Sequence, residues 1–145
     1  MRTAAHILFV LVLAPLAGLS QSTLTLEVEV PKGSGGNMLM VALCPSEEAY
    51  STEKGCRTTQ VRIGFDDKGV QEVRFDRVAA GDHAVRAFLD RNGNEVLDLN
   101  ALGIPSEPFG FSQDAMGRFA APGFKEASFS VGGDETRVAF RMRGG

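Results

Sequence analysis

Leu24-Thr25-Leu26-Glu27-Val28-Glu29-Val30 alternates apolar and polar side chains without a break. Side chains of an extended chain point to opposite faces in turn, so this period of two describes a strand with one face in a core and one in water. The pattern recurs. Thr59, Val61, Ile63 and Phe65 are expected inward on one strand, and Val73 and Phe75 on the next, with Glu72, Arg74 and Asp76 outward. Val85, Ala87 and Leu89 face in on a further strand whose other face carries Arg86 and Phe88. Ala127, Phe129 and Val131, then Val138, Phe140 and Met142, supply the last two. Residues 38–43 are apolar on both faces, as in a central strand covered from both sides.

Turn residues punctuate these runs. They fall at 31–37, at Asp66-Asp67-Lys68-Gly69, where Gly69 is free to take a positive φ, at 79–82 and at 132–135. Residues 44–55 form a polar connection with room for one helical turn after Ser46. No stretch holds a helical period for long. About seven short strands at regular spacing predict an all-β fold, an antiparallel β-sandwich formed by one domain over residues 21–145.

The first twenty residues read differently. Arg2 precedes an apolar run over residues 7–13, then Pro15, then small residues at Gly18 and Ser20. A charged start, an apolar middle and a small-residue end describe a secretory signal peptide, with cleavage expected after Ser20. A membrane-spanning helix needs about 20 apolar residues, more than Pro15 leaves here. No cysteine stands near the cut to carry a lipid. The expected product is exported, periplasmic or extracellular, with no integral membrane segment.

An oxidising compartment gives Cys44 and Cys56, the chain's two cysteines, the chance to pair as a disulfide. The alternative is two buried thiols on neighbouring strands. Net charge is −3 for the whole chain and one unit more negative without Arg2, with both signs interspersed. That balance speaks against nucleic acid as a partner.

Asp90, Asn92, Asn94 and Asp98 place side-chain oxygens at alternate positions of a tight loop, with the Val96 backbone between the last two. Oxygens turned toward one point suit a hard cation, so these five residues are the candidate Ca²⁺ ligands. Against a calcium loop of the EF-hand type the match is partial. Glu95 stands where a glycine is usual and Ala101 where a bidentate Glu closes the site. Glu107 or Asp114 is the conceivable replacement, and few charged ligands imply weak binding, in the range about 10⁻⁴ to 10⁻³ M. The competing reading is a metal-free turn, because Asn and Asp cap their own backbone and Asn-Gly is a common turn dipeptide.

Residues 99–125 lack strand signals and are rich in Phe, Gly and Pro. Long loops in small domains are usually functional or disordered, and this one is too aromatic for disorder. Phe109, Phe111, Phe119 and Phe124 either seal one end of the sandwich or, with Glu107, Gln113, Asp114 and Arg118, offer a binding surface to a protein or glycan. The outward Phe88 suggests that this loop folds over it.

Catalytic signals are few. His83 is the one histidine after residue 20, too little for a multi-histidine zinc site, and no nucleophile-elbow sequence surrounds any serine. Gly33-Ser34-Gly35-Gly36 lacks the Lys and helix of a phosphate loop. Asp98 and Glu107 could in principle form a glycosidase pair, but nothing in the sequence around them marks that chemistry. The expectation is a binding or interaction module rather than an enzyme.

The run from Phe75 to Val85 resembles the strand–turn–strand segment of prealbumin-like and carboxypeptidase-regulatory-like modules, with His83 where those carry Tyr. Asp90-Arg91-Asn92-Gly93-Asn94 through Asp98, then Leu102-Gly103-Ile104-Pro105-Ser106-Glu107-Pro108-Phe109-Gly110-Phe111-Ser112, with Gly117-Arg118-Phe119 and Pro122-Gly123-Phe124, resembles the small exported bacterial proteins of domain-of-unknown-function family 2141. The resemblance implies a prealbumin- or immunoglobulin-like sandwich and export. It implies no activity.

Overall fold

The first and last strands of the chain lie side by side. In the computed structural model, which describes residues 21–65, 69–118 and 120–145, β1 (Gln21–Glu29) pairs in parallel with β8 (Glu135–Arg141) and antiparallel with β4 (Val70–Ala79). The segment 1–20, the Asp66–Lys68 part of the expected turn and Phe119 lie outside the described residues. These three strands form one sheet, in the order β4-β1-β8. The second sheet is built on β2 (Met38–Cys44), β3 (Arg57–Arg62) and β5 (Gly81–Asp90), and runs β3-β2-β5-β6, with β6 at Phe109–Phe111. β7 (Ser128–Val131) also pairs with β5.

Among the described residues, eight strands in two stacked sheets make the all-β sandwich that the alternation predicts. Leu24, Leu26, Val28 and Val30 of the first alternating run are all buried, facing Leu39, Val41, Leu43, Val85, Ala87 and Leu89 of the other sheet. The sheets are antiparallel except for the β1–β8 pair, which joins strands from opposite ends of the sequence.

Three local features depart from simple alternation. Phe75 and Val78 are both buried although three residues apart. Between Ser22 and Leu24 the register with β4 slips, and Arg77 takes φ 56°, so a bulge absorbs the extra residue and returns Val78 to the core. The alternation places Phe65 inward beside Ile63, but β3 ends at Arg62 and Phe65 is 92% exposed. Its ring lies over a glycine instead: a Cβ on Gly36 would stand 3.0 Å from it. β6 lies in the stretch expected to have no strand. Phe-Gly-Phe is too short to show a period, and Gly110 is required because a Cβ there would meet the Arg141 carbonyl oxygen at 2.7 Å.

The expected helical turn is α1 (Glu47–Thr52), capped by Ser46, whose hydroxyl accepts the Ala49 N–H at 3.2 Å. Cys44 and Cys56 are joined as a disulfide across the connection that carries α1. A one-turn helix, α2 (Phe124–Ala127), precedes β7. Cys44, Ala49, Tyr50, Ala84, Phe111 and Ala127 form a second, smaller core beneath these helices, with Phe109 and Phe124 packed against it.

Candidate functional site

The outer face of the larger sheet is apolar in its middle. Antiparallel register aligns Met40 with Phe88 and Phe88 with Phe109 in one row across the strands, and Ala42 with Arg86 and Arg86 with Phe111 in the next. These six side chains line a groove of about 490 Å³. The two faces of residues 38–43 thus serve different purposes: Leu39, Val41 and Leu43 enter the core, while Met40 and Ala42 floor the groove. Phe88 is half-buried, covered in part by the Phe-rich segment through β6.

One wall of the groove is the Asp/Asn loop, which contributes Glu95, Val96 and Leu97. Asp90 ends β5 and is buried; its two carboxylate oxygens accept the N–H groups of Gly93 at 2.7 Å and Glu95 at 2.9 Å. Burial alone would raise the Asp90 carboxyl, but the backbone N–H donors of Glu95, Gly93, Asn94 and Asn92 outweigh it and hold the pKa below the ordinary value. Asn92 and Asn94 both donate side-chain amide N–H groups to the Asp98 carboxylate, at 2.7 Å and 3.0 Å. Their own oxygens accept backbone N–H groups, Asn94 to Asn92 and Val96 to Asn94.

Of the residues picked out as cation ligands, Asn92, Asn94 and Asp98 are brought together, whereas Asp90 spends its oxygens on the loop's own backbone and Val96 donates its N–H to Asn94. Among the described residues no three His, Cys, Asp or Glu side chains form a group arranged to hold a metal.

Glu107 closes this loop from below. It is 4% exposed, and its two oxygens accept the N–H groups of Arg91 at 2.8 Å and Asp98 at 3.2 Å. Glu107 is thus the carboxylate that reaches back, while Asp114 turns to β8 and accepts the Arg141 N–H at 2.8 Å. Beyond Asp98 the chain makes a small excursion tied by Asn100, whose side-chain oxygen accepts Leu102 and Ile104 N–H. Leu102 at its tip is 83% exposed.

Of the residues proposed as a binding surface, Phe109 and Phe111 line the groove, Glu107 is interior, Arg118 is exposed and Phe119 lies outside the described residues. His83 is buried more fully than a surface strand position would be, its Nδ1 3.0 Å from the Gly81 carbonyl oxygen.

Sequence reasoning missed Met40, Ala42, Arg86 and Glu53. The available signal was the pairing of a strand apolar on both faces with an outward Phe88. Arg86 is the charged residue of the floor. Its guanidinium carbon stands 4.3 Å from the Tyr50 ring centre, Nη2 donates to the Tyr50 carbonyl oxygen, and Nη1 is ion-paired with Glu53 at the groove rim. Cys56 also lines the groove, so the disulfide anchors this side.

Among the described residues no helix is long and apolar enough to cross a membrane. No curated protein and no solved structure matches the chain. A family model described as "Uncharacterized protein conserved in bacteria (DUF2141)" matches residues 27–139, a span that holds the disulfide, strands β2 to β7 and every residue of the groove. The chain belongs to that bacterial family.

Proposed function

We propose that this protein is an exported binding module that seats a small, largely apolar ligand in the groove of its larger sheet. The observation that carries the reading is the floor itself: Met40, Ala42, Phe88, Phe109 and Phe111 turned outward beneath a loop wall. Outward apolar side chains on a sheet are costly unless something covers them, and about 490 Å³ falls within the usual range for ligand pockets. Phe109 and Phe111 belong to this concave floor, which favours a ligand seat over a projecting patch for a protein partner. Export is supported by the pattern of residues 1–20 and by a disulfide, a bond typical of oxidising compartments. Binding is favoured over glycoside hydrolysis because the floor is apolar and Asp98 and Glu107, the carboxylates weighed for that chemistry, are engaged within the Asp/Asn loop.

The test is titration with the neutral, environment-sensitive dye N-phenylnaphthylamine. Saturable binding at one site, weakened about tenfold or more by Phe88→Asp, is expected. Absence of saturable binding by the folded protein overturns the reading.

A second reading concerns the groove wall. Asp98 gathers Asn92 and Asn94 in the loop that Asp90 anchors, and we propose that millimolar Ca²⁺ binds there once both Asn amides rotate to present oxygen instead of nitrogen. A thermal melt after chelation, with and without Ca²⁺, decides it: a rise reversed by chelator supports the site, and an unchanged melt removes it.

A further inference from the structure

Arg86 and Glu53 form an unequal pair. The Arg86 side chain is 24% exposed and lies between Ala42 and Phe111 on the groove floor, whereas the Glu53 side chain is 73% exposed. Arg86 is also held without Glu53, by the Tyr50 ring and the Tyr50 carbonyl. Its Nε is buried with no hydrogen-bond partner, so a group with five N–H donors is short of acceptors. Glu53 follows α1 with φ 61° and returns to water at little cost, as exposed members of ion pairs do.

We infer that the groove takes a monocarboxylate amphiphile, its headgroup replacing Glu53 on Arg86 and its apolar body lying over Phe88, Met40 and Phe109 toward Val96 and Leu97. The inference rests on the reading of the groove as a ligand seat and adds the chemistry of the ligand. A charged donor in a largely apolar floor selects an anion, because a carboxylate restores a charge-assisted hydrogen bond where a hydroxyl gives a weaker one. Glu95 on the loop wall repels a second carboxylate and so favours an apolar far end. Glu53 acts as the occupant that keeps Arg86 paired while the groove is empty.

The experiment measures displacement of N-phenylnaphthylamine by decanoate and by decanol. Decanoate is expected to compete about tenfold more tightly, equivalent to one charge-assisted contact. Arg86 also secures α1, so Glu53→Gln is the deciding variant: it removes the charge that competes for Arg86 and is expected to tighten decanoate severalfold relative to decanol. Arg86→Met is expected to erase the preference for decanoate over decanol. Equal competition by decanoate and decanol, or unchanged decanoate affinity in Glu53→Gln, overturns the carboxylate inference with the groove reading intact. Failure of the dye itself to bind removes both.

Discussion

Ser112 Oγ accepts the N–H of Val85 at 2.8 Å, at the point on the edge of β5 where two pairing partners leave a gap. β7 pairs with residues 81–84 and β6 with residues 86–88. The hydroxyl fills the interval and donates to the Ala127 carbonyl at 2.5 Å. One fully buried side chain thus joins β5, the Phe-rich segment and the end of α2.

Ser112→Ala leaves a buried N–H and a buried carbonyl without partners. Each such group costs about 1–3 kcal/mol. The expected result is a loss of about 2–4 kcal/mol by urea unfolding, with a lower midpoint and an unchanged slope.

Glu107 ties both ends of the Asp/Asn loop, at Arg91 and Asp98. Glu107→Gln keeps one acceptor oxygen and loses the other along with the charge. Amide exchange at Arg91 or Asp98 is expected to quicken by an amount corresponding to about 1–3 kcal/mol, while exchange in β1 stays the same.

Asp90 sets a pH dependence. Its pKa in the folded protein is held below the ordinary value, so the folded state prefers the ionised carboxylate. That contribution is complete above the unfolded value, about 3.9, and is lost as pH falls through the folded value. Urea midpoints measured from about pH 5 downward should therefore fall, and Asp90→Asn should flatten part of that slope.

Phe65 and Phe75 belong to alternating runs that the pattern treats alike, yet Phe65, past the end of β3, is exposed and Phe75, within β4, is buried. Phe65→Ser is expected to change stability by about 0.5 kcal/mol or less, and Phe75→Ala to cost about 3–5 kcal/mol. Similar losses for both, measured by thermal or urea unfolding, would contradict the placement of Phe65.

Much of the sandwich is written into local order. Period two in Leu24–Val30, in Val85, Ala87 and Leu89, and in Val138, Phe140 and Met142 assigns a face to each side chain, because the pleat alone decides which neighbours point together. The helical turn after Ser46 and the positive φ of Gly69 are likewise local, set by a cap and by a missing Cβ. The meeting of Asn92, Asn94 and Asp98 follows from spacing within one loop.

What tertiary structure decided depends on residues far apart in sequence. The alternation says that Phe88 and Met40 point away from the core; only the β2–β5 register makes them neighbours, and only β6 beside β5 turns that face into a groove. Phe-Gly-Phe becomes a strand because the edge of β5 is open to it and Gly110 lets the Arg141 carbonyl come close. Arg77 adopts its bulge, and Phe65 leaves the core, through where β1 pairs and where β3 ends. A side chain's own face is a property of the local backbone; what lies across from it is set by long-range pairing, whose energy no short window of residues contains.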